Sequence, residues 1–228
     1  MNFSYFKIFL FFFMISPSGF SQTTEVYWQP ELSFNYSPAS RWSFNFEFTN
    51  RNLLNNDQNG ESSFKGDHVE ISHFTSYESG FYSKVSLGVR YRNRDWLNPE
   101  RGNEFRFTQQ YSYSKPFNQF RWGHRVRFEQ RFYENETVFR TRYRLALDFP
   151  LQGTTLNIYE FYAVISTESL YSLSAKGAPE LDQRITPGLG YQLTDALKLQ
   201  IGAEYRYENY LNDASGRVFG YTSALFKL

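Results

Sequence analysis

Apolar and polar residues alternate along most of the chain with a period of two. In segment 41–51 every second residue from Trp42 to Phe48 is aromatic, and the residues between them are polar or charged. Successive side chains of a strand point to opposite faces of a sheet. The pattern therefore predicts a strand with one aromatic face and one polar or charged face.

The same alternation recurs in eleven segments, which lie near residues 31–37, 41–51, 69–77, 81–94, 104–114, 120–132, 138–149, 154–165, 183–193, 196–207 and 217–228. The segment 154–165 changes face around Tyr159 and Glu160, which suggests a β-bulge. Short connections alternate with longer ones, the short ones at 38–40, 78–80, 115–118, 150–153 and 194–195 and the longer ones notably at 52–67, 95–103, 166–182 and 208–216.

Long alternating strands joined in this way are typical of outer-membrane barrels. We predict an all-β fold, an antiparallel transmembrane β-barrel of ten to twelve strands with its aromatic face toward lipid. The alternative is a soluble β-sandwich or a lipocalin-like barrel, in which the apolar face points inward. Alternation alone does not separate the two. The length of the strands and an aromatic content of 21% favour the membrane barrel.

An export signal at the N-terminus also favours it. Lys7 precedes the apolar run 8–15, and the small residues Gly19 and Ser21 stand at positions −3 and −1 of a cleavage site before Gln22. We predict a signal peptide over 1–21, a barrel over 22–228 and a location in the bacterial outer membrane. The chain has no cysteine, which excludes disulfides, thiolate metal sites and a cysteine nucleophile.

Charge gives no sign of a nucleic-acid partner, because the predicted mature chain is neutral, with 23 basic and 23 acidic residues. On the predicted inner face, however, sixteen basic residues outnumber eight acidic ones, whereas the long loops are mainly acidic. The lumen charge network that we predict consists of Glu47, Arg90, Arg92, Glu104, Arg106, Arg125, Arg127, Glu129, Arg131, Arg140, Arg142, Arg144, Glu160, Arg184, Glu204 and Arg206.

Several short motifs resemble the outer-membrane barrel family DUF2490. They are the run His124–Arg131, the run Arg140–Arg144, Trp28 with Leu32, Glu104 with Arg106, Glu160, and Asp182–Arg184 followed by Gly188. The resemblance covers residues 25–228 and rests on the order of the motifs. It implies a transmembrane β-barrel without an established biochemical role, and it supplies no catalytic residues.

Three interpretations of the charged lumen remain open. Arginines forked to carboxylates can fill a barrel of this size as a structural or binding plug, or a basic lumen can form a small anion-attracting pore. A lipid-acting enzyme would need a serine or threonine beside a histidine base, but Ser72 and His73 are strand neighbours and point to opposite faces. We predict the plug, no enzymatic activity, no cofactor and no metal site. The expected partners are outer-membrane lipid and the barrel assembly machinery, with an unidentified ligand or protein at the outer loops.

Overall fold

The computed structural model describes residues 25–55, 64–94, 96–97 and 102–228, and the predicted signal peptide lies outside these residues. Eleven strands make up most of the described chain: β1 (Glu25–Ala39), β2 (Trp42–Asn55), β3 (Lys65–Gly80), β4 (Ser83–Asn93), β5 (Glu104–Phe117), β6 (Phe120–Phe132), β7 (Thr137–Pro150), β8 (Phe161–Ser174), β9 (Glu180–Gln192), β10 (Leu197–Glu208) and β11 (Ser215–Lys227). The described residues contain no helix long and apolar enough to cross a membrane.

The strands form one closed barrel in which each strand pairs with its neighbours in the sequence and β1 pairs with β11. The number of strands lies within the predicted range. Ten of the pairs are antiparallel, but Glu25–Asn35 and Arg217–Lys227 pair in parallel. In an up-and-down barrel of eleven strands the first and the last run in the same direction, so only a parallel pair can close it. The prediction of a wholly antiparallel barrel is therefore wrong at this one seam.

The two ends of the barrel are named here by their connections. The turn end carries the β1–β2, β3–β4, β5–β6, β7–β8 and β9–β10 connections and the end of β11, and the loop end carries the others. At the turn end, β5 and β6 are joined through Asn118 and Gln119 alone. Asn118 has a φ of 51°, a left-handed conformation that asparagine tolerates in tight hairpins.

The largest error of the sequence-based prediction concerns β8, which spans Phe161–Ser174 rather than 154–165. Residues 151–160 form a connection in which Tyr159 has a φ of 66° and the carboxylate of Glu160 accepts the backbone N–H of Asn157 at 2.8 Å. The change of face marks the end of this connection and not a bulge within a strand. As a consequence, the predicted long loop 166–182 shrinks to 175–179 and the predicted short turn 150–153 becomes the longer one.

The aromatic face of the strands points outward, as predicted. Trp42, Phe46 and Phe48 on β2 keep 45%, 44% and 43% of their surface exposed, whereas Thr49 on the other face is buried. Exposed apolar side chains occur on every strand from β1 to β10. The barrel therefore does not adopt the alternative fold in which the apolar face is enclosed.

A few aromatic side chains point inward and fill part of the lumen. The Phe74 ring lies over Gly88 and the Tyr162 ring over Gly190, where an added Cβ would come within 2.3 Å and 2.0 Å of them. A ring can pack this closely on the adjacent strand only because glycine has no side chain. Both rings are buried.

Candidate functional site

A continuous series of ion pairs crosses the inner face of the barrel. It begins at Glu47 on β2, whose carboxylate lies 3.0 Å from the Arg90 guanidinium on β4. Arg90 also lies 3.7 Å from Glu70 on β3. Arg92 then joins Glu70 to Glu104 on β5, at 2.7 and 3.1 Å. Glu104, a member of the predicted lumen network, and Glu70, which that network did not include, are both buried.

The series continues from β5 to β8. Arg106 lies 2.6 Å from Glu104 and 3.6 Å from Glu129 on β6. Arg142 on β7 joins Glu129, at 2.9 Å, to Glu168 on β8, at 2.5 Å. We call this series the ion-pair ladder, and its members are Glu47, Arg90, Glu70, Arg92, Glu104, Arg106, Glu129, Arg142 and Glu168.

Further donors attach to the ladder at Glu104 and Glu168. The Arg131 Nε donates to Glu104 at 2.8 Å and the Tyr133 hydroxyl donates to the same carboxylate at 3.2 Å. Arg125 lies 3.4 Å from Glu168. Burial raises the pKa of the Tyr133 phenol, which keeps it protonated as a donor. Glu104 thus has three arginines and one hydroxyl around it, the arrangement that makes a buried carboxylate tolerable.

Glu204 and Arg206 belong to a second group, on β10. Their side chains form an ion pair, and Arg206 also donates to the Tyr221 hydroxyl at 2.9 Å. The Arg206 guanidinium lies 3.6 Å from the centroid of the Phe219 ring, and Arg51 lies 4.9 Å from it. The ring is buried and makes a cation–π contact with each of the two guanidiniums.

Four of the predicted network arginines have no carboxylate within 4.0 Å among the described residues. We call them the unpaired arginines, and they are Arg127, Arg140, Arg144 and Arg184. Neutral groups accept from two of them: the Arg127 Nε donates to the Gln110 side chain at 2.5 Å, and the Arg140 Nε donates to the Ser172 hydroxyl at 2.8 Å. The Nε atoms of Arg144 and Arg184 are buried and make no hydrogen bond to a described residue.

The lumen encloses a cavity of about 700 Å³. Fourteen arginines and nine carboxylates line it, including all four unpaired arginines. The cavity reaches the loop end, where its lining includes Glu180, Glu208 and Asp213. A charged interior was predicted, and the arginine excess lies at the surface of this cavity.

Glu160 was wrongly placed in the lumen. It belongs to the β7–β8 connection at the turn end, and its carboxylate also accepts from the Asn157 side chain at 3.1 Å. Conversely, Glu168 and Asp182 were assigned to an outer loop, but both are buried residues of β8 and β9.

The pattern of β8 explains why Glu168 was missed. Its inward positions include the apolar Leu170, whereas the outward Thr167 and Ser169 are polar, so apolar and polar residues do not alternate there. The signal that could have placed the end of this strand is the turn-forming sequence Lys176–Pro179, which immediately precedes β9.

Each of the three histidines has a polar neighbour among the described residues, and the His68 Nδ1 lies 2.8 Å from the Asp67 carboxylate. The His73 Nε2 lies 3.0 Å from the Thr75 hydroxyl on the outer face, but no described residue forms a hydrogen bond to its buried Nδ1 to orient the ring. Ser72 faces the lumen, and His124 pairs with the Tyr143 hydroxyl at 2.9 Å. Within residues 25–55, 64–94, 96–97 and 102–228, no three histidine, aspartate or glutamate side chains come together closely enough to hold a metal ion.

These observations define the molecule as a closed β-barrel with an arginine–glutamate network in its lumen and an apolar outer face. Residues 27–216 match the model of a family described as a protein of unknown function, DUF2490. The chain belongs to this family, and the resemblance carried by its short motifs is thereby confirmed. No curated protein matches the chain.

Proposed function

We propose that the protein is an outer-membrane β-barrel whose lumen is blocked by the ion-pair ladder, and that it serves a binding or structural role rather than free diffusion of solutes. The observation that carries the proposal is the ladder itself. It links seven consecutive strands, β2 to β8, through side chains that extend into the lumen.

The outer face supports a membrane location. Large apolar side chains that are each more than a third exposed occur on strand after strand, far beyond the single exposed patch of a typical soluble monomer. Aromatic pairs gather at the turn end, where the rings of Trp42 and Tyr77 lie 5.0 Å apart and those of Phe120 and Trp122 lie 5.9 Å apart. Such aromatic residues form the interfacial girdles of membrane barrels.

The ladder supports a blocked lumen because its arginines are each held by a carboxylate on either side. Arg92 is 8% exposed between Glu70 and Glu104, and Arg142 is 11% exposed between Glu129 and Glu168. Swinging either guanidinium aside to open a path would leave two buried carboxylates with one partner fewer. Breaking a buried pair in this way costs about 3–5 kcal/mol.

Export through the signal peptide 1–21 and insertion by the barrel assembly machinery complete the proposal. The test is fractionation of cells that express the protein, followed by planar-bilayer recording of the purified barrel. We expect it to sediment with the outer membrane and to give no steady conductance. Recovery in the soluble periplasmic fraction would contradict the membrane location, and stable open channels would contradict the blocked lumen.

A second candidate function, a small anion-attracting pore, is favoured by one observation, the excess of arginine around the cavity. The acidic residues at its loop end oppose it. If channels are recorded, the reversal potential in a potassium chloride gradient identifies their selectivity. A potential that follows chloride would establish the pore.

A further inference from the structure

The arginines that line the cavity are unequally paired. Those of the ion-pair ladder lie between carboxylates, whereas Arg144 and Arg184 have none within 4.0 Å among the described residues. Both line the cavity. The buried Nε donors of Arg144 and Arg184 face no acceptor of the described chain. The cavity therefore presents buried hydrogen-bond donors that the described side chains leave without an acceptor.

These two arginines lie on the same side of the barrel. Arg144 on β7 is the register partner of Glu168 on β8, and Glu168 is in turn the register partner of Arg184 on β9. Arg144 and Arg184 are therefore two strands apart, about 10 Å between backbones. Arg127 on β6 is not part of this pair, because its side chain donates to Gln110 on β5 and lies against the Phe74 ring on β3.

Glu168, which lies between Arg144 and Arg184 in the register, forms an ion pair within 4.0 Å with neither of them. Its Oε2 is held by Arg142 at 2.5 Å and its Oε1 faces Arg125 at 3.4 Å. On the strands opposite to Glu168, both arginines face a further arginine in the register: Arg144 faces Arg125 and Arg184 faces Arg206. An arginine keeps its charge in proteins, so this side of the cavity attracts anions.

We propose that the lumen binds a phosphate group between Arg144 and Arg184. A phosphate carries up to two charges and several acceptor oxygens in one tetrahedral group, so it can accept from guanidiniums on two separate strands, and guanidinium forks match its geometry. A carboxylate has one charge and two oxygens. The cavity volume of about 700 Å³ is that of a small-molecule site. The inference rests on the proposed binding function of the lumen and names its ligand chemistry.

The test uses the folded barrel in non-ionic detergent and inorganic pyrophosphate as the probe, measured by isothermal titration calorimetry. We expect one binding event per barrel, and we expect the double variant R144Q/R184Q to weaken it at least tenfold. The control is Arg121→Gln, because Arg121 pairs with Asp148 at the turn end and is absent from the cavity lining. No binding by the wild type, or unchanged affinity in the double variant, would overturn the proposal.

Folding is measured in the same samples. Pyrophosphate should raise the unfolding temperature of the wild type and of Arg121→Gln but not that of the double variant. If the double variant does not fold, the single variant Arg184→Gln replaces it, with the same tenfold loss expected. An equal stabilisation of all variants, or its complete loss in sodium chloride of matched ionic strength, would show general charge screening and overturn the site.

Two sources of phosphate are separated by a second titration with lysophosphatidic acid in the same detergent. Competition with pyrophosphate identifies a lipid headgroup that enters from the loop end, and its absence identifies a soluble phosphate compound. The outcome is also distinct from that of the proposed function. A barrel that conducts and still binds pyrophosphate would refute only the blocked lumen, and a closed barrel that does not bind it would refute only the phosphate site.

Discussion

Arg142 connects Glu129 to the rest of the lumen. Its Nη1 lies 2.9 Å from the Glu129 Oε1, while its Nη2 lies 2.5 Å from Glu168 on the opposite neighbouring strand. Glu129 is 1% exposed, and its second close partner is Arg106, at 3.6 Å. One carboxylate on β6 thus holds guanidiniums from β5 and β7 in place, far from bulk water.

The first prediction follows from this arrangement. Glu129→Gln removes the charge that compensates Arg106 and Arg142 and keeps the shape of the side chain. We expect it to lower the free energy of unfolding by about 3–5 kcal/mol, as for other broken buried pairs. The measurement is the temperature at which the detergent-folded barrel loses its compact band on a gel.

The matched control is Glu134→Gln in the exposed β6–β7 connection. It should change that temperature little, because exposed charges contribute about 0–1 kcal/mol. Equal shifts in the two variants would mean that Glu129 is solvated, and the ladder would then not be a packed plug.

The sequence predicts which charged residues face the lumen well on some strands and poorly on others. On β6 and β7 every inward position from Arg125 to Glu129 and from Arg140 to Arg144 is charged and every outward one is apolar or uncharged, so the sequence alone places Glu129 against arginines. On β8 the inward Leu170 and the outward Thr167 break the alternation. The period of two is lost there, so the sequence does not predict that Glu168 faces inward.

The pairing of charges could not be predicted even where the faces were right. Alternation assigns Arg127 and Arg142 to the lumen alike, and they are register partners. Only the side-chain directions decide that Arg142 reaches two carboxylates while Arg127 turns to Gln110 and lies 5.1 Å from the centroid of the Phe74 ring. The parallel seam between β1 and β11 was likewise not anticipated, because it follows from the odd number of strands and not from any local pattern.

The second prediction concerns the Phe74 ring and Gly88. Gly88→Ala would place a Cβ 2.3 Å from a ring atom of Phe74, which is buried and has little room to move. We expect a loss of about 1–3 kcal/mol in unfolding free energy, the usual range for an overpacked interior. Urea titration of the detergent-folded barrel, followed by tryptophan fluorescence, measures it.

Gly123 offers a matched inward glycine, since the nearest atom to an added Cβ there is 3.8 Å away. Gly123→Ala should therefore be nearly neutral. If Gly88→Ala were equally neutral, the Phe74 ring would be free to shift and would not be part of a packed lumen.

The third prediction tests the closing seam. Phe226 on β11 stacks on Phe34 on β1 with ring centroids 4.9 Å apart. Phe226→Ala should slow the appearance of the compact band during refolding into lipid vesicles and lower its final yield, because the pair contributes about 0.5–1.5 kcal/mol beyond its buried area. Leu228→Ala is the control, because Leu228 follows the last strand and is 69% exposed. Identical refolding of the two variants would show that the ring stack does not assist closure.

The last prediction tests the outer face. Phe46 lies on β2 with 44% of its surface exposed, and its ring centroid is 4.4 Å from that of His73 on β3. If this face contacts lipid, Phe46→Arg places a charge in hydrocarbon at a cost of about 2–4 kcal/mol near the midplane. We therefore expect the variant to fail to insert into vesicles. Leu151→Arg changes an equally exposed apolar residue in the β7–β8 connection and should insert normally. In a soluble barrel both substitutions would place an arginine in water and both would be tolerated, so normal behaviour of Phe46→Arg would remove the lipid contact on which the membrane proposal depends.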